Sequence, residues 1–262
     1  MSRVQRLDML LDGKKGLVLN VTNKNSIGWA IADAAHREGA IVGIGAQNER
    51  LADGVLKLTS GRERFDHFLI DFSDPEAYDR LRDEVAAKYG TIDFLVHSVG
   101  YAPKEALAGR FIDTTLEDFQ VAINISAYSI IRLAKAMENL IADDGSVIAL
   151  SYIGSTRAAR NYNVMGMCKA ALESAVRYLA VDLGPRGIRV NTLSPGPVNT
   201  ISGRGVSGLT DMIKHVHDSA PLKRPYAQEE VSGCALYLLS DLSKGVTGQI
   251  IFIDSGFNFV AM

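Results

Sequence analysis

The sequence has few cysteines, few prolines and no long apolar run. Its 2 cysteines, Cys168 and Cys234, lie far apart among 262 residues. Small secreted domains carry more cysteines at regular spacing, so we expect a reducing, cytoplasmic setting. No apolar run approaches the ~18 residues that span a membrane, and no secretory signal is visible near Met1. The sequence therefore predicts a soluble cytoplasmic protein without a membrane partner.

Basic residues are not in excess either. The formal net charge is -2, with 28 Lys and Arg against 30 Asp and Glu. Nucleic-acid-binding domains usually have a basic excess, so we expect no nucleic-acid partner. The 7 prolines form no linker, and the 47% hydrophobic content is sufficient for a large core. We therefore expect a single domain over residues 1–262.

Short apolar runs recur along the chain. Most contain no charge, which is typical of strands that are covered on both faces. The seven runs are Leu17–Leu19, Ile41–Ile44, Phe68–Ile70, Phe94–Val96, Val147–Leu150, Ile188–Val190 and Ile250–Ile253.

Segments with helical periodicity separate these runs. Apolar side chains recur at helical spacing from Ile27 to Ala35 and again from Ala171 to Leu179. Alternating strands and helices predict an α/β fold, in which a doubly wound (Rossmann-type) parallel sheet of seven strands binds its ligands at the carboxyl ends of the strands. The glycine-rich interval at about 195–221 breaks the alternation, and we interpret it as a mobile substrate-binding lid.

The turn after the first strand is unusual for a dinucleotide-binding fold. Such turns normally begin with glycine, but here the first position is Asn20 and Gly28 is the glycine that remains. Asparagine tolerates a left-handed backbone, so the turn can still form. Ser26 is placed to cap the next helix or to contact phosphate, although an ordinary polar loop would look the same. No basic pair follows Gln47 at the end of the second strand, which favours NADH over NADPH.

The segment from Tyr152 to Lys169 carries the clearest chemical signal. Tyr162 and Lys169 are seven positions apart, so on a helix both would project from one face about two turns apart. A lysine could then hold the ribose of a nicotinamide cofactor while the phenol reaches a substrate oxygen. Taken alone, the pair is more typical of a core tyrosine and a solvated lysine on a helix.

The surrounding sequence resembles a known family. The run Asn161–Gly166, together with Tyr152 and Lys169, is similar to the NADH-dependent enoyl-acyl carrier protein reductases of bacterial fatty acid synthesis, within the short-chain dehydrogenase/reductase superfamily. Usual members of that superfamily have tyrosine four residues before the lysine, where this chain has Met165. Further matching runs are Ser26–Ile27, His36–Ala40, His97–Pro103, Ile188–Asn191, Gly196–Val198 and Asp254–Phe257. Asn20 and Pro195 depart from the family pattern, which usually has glycine and alanine there.

The resemblance implies reduction of trans-2-enoyl-acyl carrier protein thioesters with NADH, the last step of fatty acid elongation, by a homotetramer. It assigns catalysis to Tyr152, Tyr162 and Lys169, and substrate binding to Ala102 and the two tyrosines. It also implies that the charge of Lys169 lowers the pKa of Tyr162. Cofactor contacts are expected at Asn20, Ser26, Ile27, Gln47, Asp71, Phe72, Ser98, Val99, Gly100, Lys169, Val198 and Thr200.

Two alternatives remain open from the sequence. Asn124 is a residue that carbonyl-reducing short-chain dehydrogenases often have, so reduction of a 3-oxoacyl thioester is the first alternative. A regulator that binds nucleotide without catalysis is the second, although such proteins usually lose the tyrosine or the lysine. His215 and His217 would point apart on a helix and lack companion ligands, so no metal site is predicted.

Overall fold

Seven parallel strands form the centre of the molecule. The computed structural model describes residues 9–224 and 227–260. Within them the strands lie in the order β3-β2-β1-β4-β5-β6-β7. Their bounds are β1 Lys15–Leu19, β2 Ile41–Ala46, β3 Phe65–Leu69, β4 Ile92–His97, β5 Ile141–Leu150, β6 Arg189–Pro195 and β7 Ile250–Ile253.

All seven predicted runs coincide with or overlap a strand. The bounds differ most at β5, which begins at Ile141 rather than Val147, and at β6, which ends at Pro195 rather than Val190. β3 begins at Phe65 rather than Phe68 and ends at Leu69, before the predicted Ile70. β3 is an edge strand, so it tolerates Asp66 and His67 within the strand, and these polar residues obscure its beginning in the sequence.

Helices cover both faces of the sheet. One face packs against α1, α2 and α10, and the other against α3, α6 and α7. The helices are α1 Ile27–Arg37, α2 Glu49–Thr59, α3 Ala77–Tyr89, α4 Lys104–Leu107, α5 Leu116–Ile123, α6 Ser129–Met137, α7 Val164–Leu183, α8 Ile201–Arg204, α9 Leu209–Ser219 and α10 Gln228–Leu239. The predicted doubly wound fold is therefore confirmed.

The predicted helical stripes also lie where expected. On α1, Ala30, Ile31, Ala34 and Ala35 are buried against the sheet. On α7, Leu172, Val176 and Leu179 are buried in the opposite layer. None of the helices in the described part of the chain is both long and apolar enough to cross a membrane.

The interval that breaks the strand-helix alternation contains two helices, α8 and α9. It follows β6 directly at Pro195 and returns to the sheet edge near Pro221. The segment is therefore a helical insertion above the carboxyl ends of the strands rather than an irregular loop.

Candidate active site

A cleft of about 870 Å³ opens at the carboxyl edge of the sheet. It receives residues from the ends of β1 to β6 and from the interval 195–221. Every residue that the sequence assigned to catalysis, cofactor or substrate lines it. These are Asn20, Ser26, Ile27, Gln47, Asp71, Phe72, Ser98, Val99, Gly100, Ala102, Tyr152, Tyr162, Lys169, Val198 and Thr200.

The first strand-helix turn has the backbone that the glycine position requires. Asn20 has φ of 63°, in the left-handed region, and its Nδ2 donates to the carbonyl oxygen of Ser98 at 3.0 Å. Ser26 caps α1, because its Oγ accepts a hydrogen bond from the backbone N–H of Trp29 at 3.2 Å. The same hydroxyl donates to the carbonyl oxygen of Asn23 at 2.8 Å. The turn is thus fixed by its own side chains, and the start of α1 faces the cleft.

The ends of β2 and β3 form the other side of this turn. Gln47 follows β2 and is exposed. The Asp71 carboxylate accepts hydrogen bonds from the Ser73 N–H at 2.9 Å and the Ser73 hydroxyl at 2.7 Å. Phe72 is buried, and its ring meets the His97 ring edge-on at a centroid distance of 5.8 Å. This end of the cleft offers a fixed carboxylate beside a buried aromatic ring.

Tyr162 is not on the helix that carries Lys169, and the prediction that both residues share a helix is wrong in this respect. Helix α7 begins at Val164, and Tyr162 lies in the turn before it. Asn161 and Asn163 have φ of 62° and 39°, so the chain on both sides of Tyr162 is left-handed and cannot continue a right-handed helix. The carbonyl oxygen of Tyr162 still accepts from the N–H of Met165 at 2.9 Å, which ties the turn to α7.

Burial dominates the ionisation of the two tyrosines. Desolvation raises the pKa of Tyr162 well above its usual value of 10, and the adjacent Tyr152 raises it further. This contradicts the expectation of a lowered pKa, because the loss of hydration is the largest effect at this position. Burial also raises the pKa of Tyr152 to about 12. The rings pack edge to face with centroids 4.8 Å apart, so the site holds two neutral phenols in contact.

Lys169 reaches the same cleft from the first turns of α7. Its side chain is buried at 6% exposure, and its Nζ donates to the carbonyl oxygens of Leu150 at 2.7 Å and Val99 at 3.3 Å. Burial lowers the pKa of Lys169 to about 8, although the nearby Cys168 and Glu173 oppose this shift. The ammonium group is therefore held between the ends of β4 and β5, with its ionisation close to neutral pH.

Two glycines allow the tyrosine loop to approach α7. A Cβ on Gly154 would lie 2.6 Å from Cδ1 of Tyr162, and a Cβ on Gly166 would lie 2.7 Å from the carbonyl oxygen of Gly154. Neither contact is possible for a side chain without displacement. The position of the Tyr162 ring therefore depends on the absence of side chains at both positions.

The interval 195–221 contributes the outer wall. Thr200 Oγ1 accepts a hydrogen bond from the Gly203 N–H at 2.9 Å at the start of α8. Asn161 Nδ2 donates to the carbonyl oxygen of Ser207 at 2.8 Å, which connects the turn carrying Tyr162 to this wall. The apolar part of the cleft is lined by Leu107, Val121, Ile125, Met165, Val206, Leu209 and Met212.

The sequence did not identify several residues of the site. Ser151 and Glu173 form a buried hydrogen bond beside Lys169, and Arg50 lines the cleft near Gln47. The pair joins β5 to α7 over a separation of 22 residues, so spacing along the chain carried no signal for it. Asn124, the residue that suggested carbonyl reduction, begins a π-helical turn (Asn124–Tyr128) and is not among the described residues that line the cleft.

The residues of the cleft fit a nicotinamide dinucleotide. A Cβ on Gly28 would lie 3.3 Å from Val21 and 3.4 Å from the Ser98 hydroxyl, so the start of α1 lies close to the strand ends. This is the close approach that a pyrophosphate site needs. Elsewhere in the cleft, the buried ammonium group of Lys169 lies 3.6 Å from the position that a Cβ on Gly100 would take. One cleft therefore combines a helix start suited to an anion with a buried cation suited to hydroxyl groups.

Comparison with known proteins shows the family. A family model described as enoyl-(acyl carrier protein) reductase matches residues 21–258. The enoyl-[acyl-carrier-protein] reductase [NADH] FabI of Rickettsia felis is 43% identical over 253 residues, 96% of each chain.

Solved structures agree with this assignment. The enoyl-(acyl-carrier-protein) reductase of Anaplasma phagocytophilum, solved with NAD, is 40% identical with a TM-score of 0.93 over 97% of each chain. The Bacillus cereus enzyme, solved with NADP+ and indole naphthyridinone, is 38% identical with a TM-score of 0.93 over 97% of this chain and 99% of that chain. This chain belongs to the enoyl-acyl carrier protein reductase family.

Proposed function

We propose that this protein reduces the carbon-carbon double bond of trans-2-enoyl thioesters bound to acyl carrier protein, with NADH as the reductant. This reaction is the last step of the fatty acid elongation cycle. The observation that carries the proposal is the convergence of Tyr152, Tyr162 and Lys169 on one cleft, in a chain that belongs to this reductase family.

Tyr162 is the group that stabilises the transition state. Reduction at the β-carbon places negative charge on the thioester oxygen, and a hydrogen-bond donor directed at that oxygen binds the transition state more strongly than the substrate. Burial keeps the phenol protonated, because it raises the pKa of Tyr162. Tyr162 therefore acts as a neutral donor in a partly desolvated site, where an electrostatic interaction is stronger than in water.

Tyr152 and Ala102 complete the substrate end. The Tyr152 ring packs edge to face with the Tyr162 ring, so each ring limits the space open to the other. Ala102 lines the cleft beside Tyr101 and leaves room for the thioester. The apolar wall formed by Leu107, Val121 and Met212 suits an acyl chain.

The residues that would hold the cofactor follow the strand ends. NADH supplies the hydride when it is bound. Lys169 would hold the ribose hydroxyls of the nicotinamide half, and Ser26 with the start of α1 would hold the pyrophosphate. The remaining cofactor residues are Asn20, Ile27, Gln47, Asp71, Phe72, Ser98, Val99, Gly100, Val198 and Thr200.

The chain acts as one reductase domain whose interval at about 195–221 is the lid. Ten of its residues line the cleft, so movement of this segment would open or close it. The exposed basic residues Lys223 and Arg224 follow this segment and suit an acidic carrier protein, although Arg224 is already paired with Glu230.

We also propose a cytoplasmic homotetramer. Cys168 and Cys234 are free thiols, as expected in a reducing compartment. Large apolar side chains are exposed on α6 and α7, including Ile131 at 41%, Tyr178 at 73% and Val181 at 72%. Such a surface is typical of an interface between copies of a chain. Light scattering on the purified protein would measure the mass directly, and a monomer would contradict the tetramer.

The activity is tested by a matrix of cofactors and substrates. We expect absorbance of NADH to fall with trans-2-enoyl thioesters, and more slowly with NADPH or with 3-oxoacyl thioesters. Tyr162→Phe should lower kcat about 100-fold with little change in the KM for NADH, because it removes the donor to the oxyanion. Faster reduction of the 3-oxoacyl thioester would identify a carbonyl reductase, and NADH binding without turnover would identify a regulator.

A further inference from the structure

Two oppositely charged side chains are buried one helical turn apart on α7. Lys169 is 6% exposed and Glu173 is 4% exposed. The side chain of Lys169 belongs to the cleft described above, whereas Glu173 does not line the cleft. A buried carboxylate is costly unless hydrogen bonds and an opposite charge compensate it, so its presence here needs a physical reason.

Glu173 is bonded to the strand end that carries Tyr152. The Ser151 hydroxyl donates to Oε1 of Glu173 at 2.6 Å, and the preceding residue, Leu150, accepts the hydrogen bond of Lys169 at 2.7 Å. The backbone N–H of Ser151 is fixed separately by the carbonyl oxygen of Leu193 at 2.7 Å. Two successive residues of the strand end are therefore attached to α7 by side chains one turn apart, immediately before Tyr152.

Glu173 is also the negative charge that acts on Lys169. The titratable groups coupled to the ammonium are Cys168 and Glu173 on α7 and His97 at the end of β4. Burial lowers the pKa of His97 to about 3 and raises the pKa of Cys168 to about 11, so both are neutral at pH 7. Glu173 is thus the member of this group that can balance the buried positive charge.

We propose that Glu173 is a positioning residue of the active site, whose carboxylate fixes Ser151 and the strand end carrying Tyr152 and keeps Lys169 charged for cofactor binding. This inference rests on the proposed roles of Tyr152 and Lys169. It adds a residue outside the cleft that acts through both of them.

Glu173→Gln tests the charge, because it keeps an oxygen that can accept from Ser151. Without the carboxylate the ammonium of Lys169 is less favourable, so we expect its pKa to fall by roughly one unit. The KM for NADH should then rise about fivefold at pH 8 and stay within about twofold of the wild type at pH 6. Ser151→Ala tests the hydrogen bond: kcat should fall roughly tenfold through displacement of Tyr152, without a change in the pH dependence of the KM.

Val176→Ala is the matched control for loss of stability. Val176 is buried on the same helix, at 1% exposure, and has no polar contact with the site. It should lower the melting temperature without moving the pH profile. If the KM for NADH in Glu173→Gln follows the same pH profile as in the wild type, the inference is wrong.

A double-mutant cycle covers the case in which Glu173→Gln does not fold. Combined with Lys169→Met, it removes both charges, so the double variant should be more stable than Glu173→Gln alone. A double variant no more stable than Glu173→Gln would overturn the inference.

The single variants also separate this inference from the proposed function. If Lys169→Met leaves the KM for NADH unchanged, the cofactor role of Lys169 fails, whereas a raised KM in Lys169→Met with no effect in Glu173→Gln rejects the role of Glu173 alone.

Discussion

The two ends of the cleft are built in different ways. The end around Ser26, Gln47 and Asp71, where we propose that the adenosine half of the cofactor binds (the adenosine end), depends on helix capping, tight turns and partly exposed polar groups. The reaction end, around Tyr162 and Lys169, places titratable side chains in the interior, where burial shifts their pKa values. We therefore expect a substitution at the first end to lower stability or cofactor affinity by about as much as the loss of one local hydrogen bond does. A substitution at the second end should act through packing and desolvation.

The largest effect should come from Gly154→Ala at the reaction end. The new Cβ would lie 2.6 Å from Cδ1 of Tyr162 and 3.2 Å from Cδ1 of Tyr152, so both rings must move. A displacement of this size can cost about 100-fold in kcat, with a loss of stability of about 1–3 kcal/mol from overpacking. Steady-state kinetics with an enoyl thioester and a thermal melt measure the two quantities.

Gly233→Ala is the control for this substitution. Gly233 is on α10, and a Cβ there would have no heavy atom within 4 Å. It should leave kcat unchanged and raise stability by up to about 1 kcal/mol, because alanine favours a helix. Equal kinetics for the two alanine variants would show that the ring position does not matter.

The next effect is the pH dependence that Lys169 imparts. Since burial lowers its pKa from 10.5 to about 8, the ammonium is present below that pH and lost above it. The KM for NADH should rise about tenfold for each pH unit above 8. Stability should change in the opposite direction: between pH 8 and 10.5 the unfolded chain binds the extra proton, so the contribution of this group to stability increases as the pH rises.

Lys169→Met isolates the effects of this ammonium group on the KM for NADH and on stability, because the difference between the wild type and this variant removes the contributions of other groups. The variant should have a raised KM for NADH at pH 7 and no rise above pH 8. Its free energy of unfolding should lack the increase with pH that the wild type has between pH 8 and 10.5. A wild-type KM that is constant from pH 7 to 9.5 would contradict the assignment.

The smallest effect is expected at the adenosine end. Ser26→Ala removes the cap of α1 and should cost about 1 kcal/mol of stability, with a few-fold rise in the KM for NADH. Thr115→Ala provides the comparison, because Thr115 caps α5 in the same way but does not line the cleft. Both variants should lose similar stability. A raised KM in both would mean that capping, rather than contact with the cofactor, causes the change.

Much of the fold followed from local patterns. Uncharged apolar runs identified the strands, and apolar residues at helical spacing identified α1 and much of α7. The beginning of β3 was missed, since an edge strand need not be apolar throughout. Ser26 was recognised as a helix cap because its hydrogen-bond partner, the backbone N–H of Trp29, is only three residues along the chain.

The site was less predictable where it depends on neighbours that are distant in sequence. The left-handed Asn161 and Asn163 place Tyr162 before α7, and this could not be inferred from a spacing of seven residues. The pKa of Tyr162 was expected to be lowered by Lys169, but it is raised by burial. Glu173 was missed because its partner, Ser151, belongs to another element.

The sequence by itself determined the strands, two of the helices, the family and the catalytic and cofactor candidates in the cleft, because motifs and hydrophobic periodicity are written along the chain. The tertiary structure alone decided how those residues ionise and what holds them. Desolvation, the contact of Gly154 with the Tyr162 ring and the bond from Ser151 to Glu173 arise only when separate strands and helices pack together.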